Sequence, residues 1–466
     1  MKKFYYPLTV TSFLLPILLL SFIRNKPQQE DPFKRAARQY EEFCIGCHFN
    51  PDEFLEKDWI EEKTVESAFT SIRYGMEDIG MPAFRRGISD DDILNLANYI
   101  INMGGDPGSM AQSGKGKMYR SESFSYEAVT VVDNLDIPWG MTWLPGGDML
   151  VAERSGILYR IGANGKRTEI SGVPPVYEYG QGGLLDIELH PDYEENGWLY
   201  ITYSYYAGKT LNDGGSTALM RARLKNNALI DQENLFRATP TEKRGAHYGS
   251  RIEFDRDGYL FLTVGDRGRQ ENAQDITNYS GTVHRLMDDG AIPPDNPFVN
   301  RPDAVRSIYN YGHRNIQGLA LHPETGDLWS HEHGPRGGDE LNIELPGRNY
   351  GWPEITFGIN YNGTIITEDT ARAGMEQPVI YWDPSIAPCG MDFIEGDVYP
   401  GWEGDLLVGS LRFKYVLRCE MENDKVLHQE RLVEGLGRVR NVKQGPDGYI
   451  YVAVERPGSI VKLVPR

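Results

Sequence analysis

Pro446-Asp447-Gly448-Tyr449-Ile450-Tyr451 joins a polar turn built on glycine to a run of aromatic and β-branched residues. Glycine supplies the positive φ of a tight turn, and the residues after it are strand formers. The unit recurs upstream as Pro145-Gly146-Gly147-Asp148-Met149-Leu150-Val151, Glu195-Asn196-Gly197-Trp198-Leu199-Tyr200 and Arg256-Asp257-Gly258-Tyr259-Leu260-Phe261. It appears again as Glu324-Thr325-Gly326-Asp327-Leu328-Trp329 and Trp402-Glu403-Gly404-Asp405-Leu406-Leu407. The six units lie roughly 45 to 80 residues apart, the scale of a four-stranded blade. The count predicts an all-β six-bladed propeller over 124–466, with loops of unequal length. The strand Val129-Thr130-Val131-Val132 is placed to close the ring with the C-terminal strands. A Greek-key sandwich is the rival, but it does not need six similar turns.

Ahead of the propeller the pattern is helical. Arg35 to Phe43 reads as a short helix. Ser89 precedes Asp90-Asp91-Asp92 and an apolar series from Ile93 to Ile101, as an N-cap and an acidic first turn precede a packed face. Gly104-Gly105 ends that helix. Residues 31–105 are therefore expected to form a small all-α domain. Residues 106–123, rich in Gly, Ser and Lys, read as a flexible linker. Residues 1–26 carry Lys2-Lys3, an apolar run from Phe4 to Ile23 and then Arg24-Asn25-Lys26, the pattern of a signal peptide or an N-terminal membrane anchor.

The formal charge of −19 makes nucleic acid a poor partner and suits a basic redox partner or simple solubility. Cysteine is scarce, with four in 466 residues, yet two of them stand in Cys44-Ile45-Gly46-Cys47-His48. C-x-x-C-H is the attachment signature of a c-type haem: two thioethers to the vinyl groups and an adjacent imidazole for the iron. It implies electron transfer, and maturation outside the cytoplasm. A zinc reading lacks a second Cys/His pair nearby. Cys389 and Cys419 remain, either as a disulfide or as two separate buried thiols.

The haem motif resembles class I cytochrome c over 31–105. On that resemblance Cys44 and Cys47 bind the haem covalently, His48 is the proximal ligand, and Met81 in Gly80-Met81-Pro82-Ala83-Phe84 is the sixth ligand. Met76, without a following proline, is the rival. A thioether opposite an imidazole raises the iron's potential and suits an electron acceptor.

Clusters of unusual polarity mark the propeller: Gly312-His313-Arg314-Asn315-Ile316-Gln317-Gly318, His333-Gly334-Pro335-Arg336-Gly337-Gly338-Asp339-Glu340, Asn349-Tyr350-Gly351-Trp352-Pro353 and Gly437-Arg438-Val439-Arg440. Arg438 and Arg440 are two apart, so on a strand they face one side. Several arginines in one funnel suit a small, multiply anionic ligand.

These clusters resemble the soluble quinoprotein aldose dehydrogenases, the glucose/sorbosone dehydrogenase family, from about Val129 to Val464. Gln181-Gly182-Gly183-Leu184-Leu185-Asp186, Gly290-Ala291-Ile292-Pro293-Pro294-Asp295-Asn296-Pro297 and Gly445-Pro446-Asp447-Gly448 extend the match. The resemblance implies a propeller that binds pyrroloquinoline quinone (PQQ) and calcium and oxidises the C1 hydroxyl of an aldose to the lactone. It makes His247 the general base and Asp266 the carboxylate that orients it. It assigns Gln181, Arg314, Asn315, Arg412, Arg438 and Arg440 to the quinone, backbone oxygens of Gly334 and Pro335 to a calcium on the quinone, and Glu340 and Tyr350 to a second, structural calcium.

Three departures bear on specificity. Arg412 stands where the family often has lysine. His333 stands where the glucose-oxidising members have glutamine and the broader aldose group has histidine, and Ala246 replaces an acidic or amide residue. Together they favour a broad aldose substrate over strict glucose. The combined expectation is a periplasmic quinohaemoprotein that passes electrons from reduced PQQ to its own haem. An external cytochrome, oxidase or quinone pool then takes them. A non-catalytic glycan- or protein-binding propeller with an electron-transfer haem is the alternative, as is a dehydrogenase of sorbosone or another alcohol.

Overall fold

The computed structural model describes residues 35–36, 38–40, 44, 65–75, 83–84, 88–102, 116–455 and 458–466. Residues 116–466 form six antiparallel sheets, five of four strands and one of five. The first strands of the sheets, Pro138–Trp143, Leu184–Leu189, Ile252–Phe254, Ile316–Leu321, Pro388–Phe393 and Arg438–Gln444, pack against one another around a central channel. The sheets are thus the six blades of a propeller.

All six turn–strand units fall at the same place, the turn into the second strand of a blade: Met149–Glu153, Trp198–Tyr206, Leu260–Val264, Leu328–Glu332, Leu406–Ser410 and Ile450–Glu455. These strands are buried on both faces, and their side chains fill the gaps between blades. Leu150, Ala152 and Leu158 of blade 1 meet Leu184, Ile187 and Leu199 of blade 2. At about 1.5–3 kcal/mol per buried aliphatic side chain, this packing between blades outweighs any single surface pair.

The ring closes by mixing the two ends of the propeller. Ser125–Leu135 pairs antiparallel with Gly458–Pro465, so blade 6 has three strands from the C-terminus and two from the N-terminal side. This is the closure expected for Val129 to Val132.

The expected linker differs from the structure at its end. Lys117–Arg120 is a strand, paired with Ser125–Leu135 from Lys117↔Ala128 to Arg120↔Ser125. Tyr119 stacks on Tyr126, with ring centroids 5.8 Å apart, and Phe124 packs 4.7 Å from Trp402. Ser121 Oγ accepts the Phe124 amide at 2.9 Å, so the polar Ser121-Glu122-Ser123 is a hairpin turn rather than slack chain. Residues 106–115 lie outside the described residues.

Helix α1, Val65–Tyr74, and helix α2, Asp90–Asn102, pack together ahead of the propeller. Ser89 Oγ accepts the Asp92 amide at 3.2 Å and donates to the Asp92 carboxylate at 2.8 Å, which caps α2 as the sequence predicts. Ile93, Leu96, Ala97 and Ile100 form the buried face of α2 and meet Ala68, Ile72, Tyr40, Phe84 and Cys44. Among the described residues no helix is long and apolar enough to cross a membrane; Phe4 to Ile23 lies outside them.

Candidate active site

A blade's first strand runs outward from one face of the propeller, and its second strand returns there. Side chains just before a first strand, or just after a second, therefore converge on that face. Gln181, His247, Arg314 and Asn315 precede the first strands of blades 2, 3 and 4, and Arg438 and Arg440 begin that of blade 6. Asp266, His333, Gly334, Pro335 and Arg412 follow the second strands of blades 3, 4 and 5.

His247 and Asp266 form the tightest pair. Nδ1 of His247 lies 2.6 Å from Oδ1 of Asp266, and both side chains are buried. The other carboxylate oxygen accepts Trp352 Nε1–H at 2.9 Å, and Oδ1 also accepts the Gly268 amide at 2.7 Å. With the carboxylate held on three sides, Nδ1 carries the ring proton and Nε2 is the basic nitrogen. Burial lowers the His247 pKa from its ordinary value and the Arg314 charge lowers it further; Asp266 opposes both. Burial alone would raise the Asp266 pKa, but His247, Arg314 and the Gly268 amide bring it below the usual carboxylate value. The resting pair is a neutral imidazole on a carboxylate.

His247 has φ +54° and Arg267 φ +60°, a left-handed backbone that side chains rarely adopt. The buried Arg267 guanidinium holds this turn by donating to the carbonyls of Ala246, Arg244 and Gly215. Oε1 of Gln181 accepts the His247 amide at 2.8 Å, and the Arg314 carbonyl accepts the Asp266 amide at 2.8 Å. Oδ1 of Asn315 accepts the Gly249 amide at 3.1 Å. The expected base, its carboxylate and three of the expected quinone-binding residues are thus one bonded unit.

The second sector is cationic. Arg438 donates to Glu455 at 3.0 Å and Arg440 donates to the same carboxylate at 2.5 Å, so the two arginines do share a side of their strand. Burial would raise the Glu455 pKa, but Arg440 and Arg438 bring it down to about 2. Arg438 also reaches the Leu411 carbonyl at 3.4 Å, and Arg412 donates to the Ser385 carbonyl at 3.1 Å. Between the sectors lies a pocket lined by Gln181, Asn315, His333, Arg440, Arg154 and Trp139. Amide, guanidinium and imidazole groups on an aromatic floor fit a flat molecule carrying several carboxylates. His333 donates Nε2–H to the Pro388 carbonyl at 2.7 Å, and burial keeps its pKa well below the ordinary value, so it presents no charge.

The loop that carries Gly334 and Pro335 is tied down by Asp339. Its carboxylate accepts from the Gly334 amide at 2.9 Å, the Ser385 hydroxyl at 2.8 Å and the Ala387 amide at 2.9 Å. Glu340 and Tyr350 lie elsewhere, near His313, whose ring stacks on Tyr350 at 4.4 Å. Burial, then the neighbouring Glu332 carboxylate, pushes the Glu340 carboxyl up to about 8. A hard cation beside Glu340 would favour its ionised form. Among the described residues no three His, Cys, Asp or Glu side chains group as a metal site, so a cation there would depend on backbone oxygens.

Cys44 is buried in the apolar core of the N-terminal domain. Cys47, His48, Met81 and Met76 lie outside the described residues. Cys389 and Cys419 are two separate buried thiols; Cys389 Sγ accepts from Arg440 at 3.3 Å.

Sequence reading missed Arg154, Arg267, Trp352 and Glu455. A signal for two of them was present. Arg154 and Glu455 each stand seven residues beyond the glycine of a repeated turn, the offset of His333 from Gly326, while Asp266 and Arg412 stand eight beyond theirs. The repeat thus points at the site residues as well as at the blades.

Known proteins share the propeller fold. Residues 135–462 match the glucose/sorbosone dehydrogenase family, and residues 31–100 match the cytochrome c oxidase, cbb3-type, subunit III family. The aldose sugar dehydrogenase YliI of Escherichia coli is 42% identical over 343 residues, covering 72% of this chain and 91% of that one. The crystal structure of the soluble aldose sugar dehydrogenase from Escherichia coli in the apo-form superposes with a TM-score of 0.71 at 39% identity, covering 73% of this chain and all of that one. The PQQ-bound aldose sugar dehydrogenase of Streptomyces coelicolor does so with a TM-score of 0.61 at 29% identity, covering 76% and 100%. The chain belongs to the glucose/sorbosone dehydrogenase family and carries an N-terminal cytochrome c domain.

Proposed function

We propose that the protein is a PQQ-dependent aldose dehydrogenase that oxidises the C1 hydroxyl of a sugar to the lactone and passes the electrons to its own covalent haem c. The observation that carries the reading is the buried His247–Asp266 pair, set beside a cavity ringed by guanidinium and amide donors. When bound, the quinone accepts the hydride from C1, calcium polarises the quinone, and the haem iron takes the electrons onward singly.

The chain's own residues do the rest. Nε2 of His247 takes the hydroxyl proton as the C1–H bond breaks, and Asp266 steadies the imidazolium that forms. Gln181, Asn315 and Arg314 hold both the base and the quinone. Arg412, Arg438 and Arg440 meet the quinone's carboxylates. Gly334 and Pro335 offer carbonyl oxygens to one calcium, and Glu340 and Tyr350 serve a second. Cys44 and Cys47 anchor the haem, with His48 and Met81 on the iron. Covalent haem attachment places the mature protein outside the cytoplasm, in the periplasm, where an external acceptor reoxidises the iron. His333 and Ala246 favour a broad range of aldoses.

The test is to reconstitute the haem-bearing protein with PQQ and calcium, add aldoses and follow the haem absorbance. Sugar should reduce the haem. If dithionite reduces it and no sugar does, the reading fails and a binding propeller takes its place.

A further inference from the structure

Tyr361 belongs to the propeller but packs against the apolar core of the N-terminal domain, the cluster that contains Cys44. The Arg314 guanidinium stands 6.0 Å from its ring centroid. The same guanidinium lies 5.5 Å from the Trp352 ring and donates to the His333 carbonyl at 3.1 Å. Trp352 in turn holds Asp266. One run of contacts therefore leads from the catalytic carboxylate through Trp352, Arg314 and Tyr361 to the core that surrounds the first haem-binding cysteine.

The segment presenting Tyr361 is firmly built. Asn360 and Thr364 close a tight turn, with the Asn360 amide on the Thr364 carbonyl at 2.9 Å. Ile359 pairs with Arg336 through amide–carbonyl bonds of 2.9 and 3.1 Å. This ties the turn to the loop of Gly334 and Pro335. An aromatic ring on such a support can hold a neighbouring domain without a large ordering cost.

We propose that Tyr361 is a positioning residue that docks the haem domain on the rim of the active-site face and so keeps the electron path short. The electron-transfer half rests on the proposed function; the docking half does not. One aldose oxidised to its lactone yields two electrons and two protons. The electrons pass one at a time through a single iron, ferric to ferrous, and an external one-electron acceptor reoxidises it after each step; the protons go to water. Tyr361 gains and loses nothing in this sequence. It replaces a free search by the tethered domain with a fixed contact.

The test compares the full-length, haem-bearing protein with Tyr361→Ser and Tyr361→Phe. Hydrogen exchange is measured without quinone or sugar. Tyr361→Ser should raise exchange in α1 and α2, while Tyr361→Phe, which keeps the ring, should match the parent. With PQQ, calcium and sugar, haem reduction is measured against reduction of a soluble dye that accepts electrons directly from the quinone. The ratio should fall at least tenfold in Tyr361→Ser and recover in Tyr361→Phe. An unchanged ratio, or unchanged exchange, overturns the inference. A parent protein in which sugar reduces neither dye nor haem sinks the proposed function instead, and hydrogen exchange then decides the docking by itself.

Discussion

The Asp266 carboxylate sits 2.6 Å from His247 Nδ1 at the end of a blade's second strand, while His247 stands just before the first strand of the same blade. The proposed base and its orienting group come from loops that flank adjoining strands, so the sheet sets their spacing. Replacing Asp266 by Asn keeps the shape but removes the charge that fixes the tautomer and steadies the imidazolium. Sugar-driven turnover should fall by about 10²–10⁴-fold in Asp266→Asn and in His247→Ala. Steady-state kinetics with a dye acceptor check this, and a His247→Ala variant with full activity would remove the proposed base.

The pH profile follows from the same pair. Activity needs neutral His247, so kcat/KM should rise with pH as the imidazole loses its proton. Burial and Arg314 both lower that pKa, so the acid limb should lie below the ordinary histidine value of about 6.5. Arg314→Gln removes one of the causes and should move the limb to higher pH. A limb at or above the ordinary value in the parent protein would contradict the assignment.

Glu455 is the shared counter-charge of Arg438 and Arg440. Its folded pKa, about 2, is below the ordinary value of 4.5. A depressed carboxyl contributes stability above its unfolded pKa and loses it as pH falls toward the folded one. The contribution, on the order of 3 kcal/mol, should therefore be present above about pH 4.5 and disappear toward pH 2. Glu455→Gln leaves two buried guanidiniums without that charge. It should cost about 3–5 kcal/mol at neutral pH and flatten the acid dependence, as measured by denaturant unfolding at several pH values.

Gly265 lies where backbone meets site. A Cβ there would come within 2.4 Å of the His247 carbonyl and 2.9 Å of Asn315 Oδ1. Gly265→Ala should lower stability by about 1–3 kcal/mol and reduce turnover by more than that loss explains, because the displaced group carries the base. Equal losses in the two readouts would argue against a rigid seat for His247.

Replacing Met81 by Ala should open the sixth position of the haem iron and make it accessible to added ligands. An unchanged absorbance spectrum would point to Met76.

The blades were legible in sequence because each second strand begins with the same kind of turn, and a turn needing positive φ leaves a glycine behind. His247, Asp266 and the arginines could be singled out because long motifs surround them. The roles of Arg267 and Trp352 were not legible. Each is an ordinary residue until the ring brings Ala246 and Asp266 beside it, and those contacts join separate parts of the chain. The strand Lys117–Arg120 was missed for a related reason. Its polar texture is that of a linker, and only Tyr126, on the next strand, turns Tyr119 into an anchor. Whether Cys389 and Cys419 meet likewise depended on the course of blade 5.

Blade 6 takes three strands from the C-terminus and two from the N-terminal side, and it holds Arg438, Arg440 and Glu455. Synthesis runs from the N-terminus. The haem-binding segment therefore emerges first, and the arginine pair is nearly the last thing made. A chain truncated before blade 6 keeps the Cys44–His48 motif and lacks Arg438, Arg440 and Glu455. The last strands made therefore complete both the ring and its arginine sector, so closure of the fold and assembly of that sector are one event.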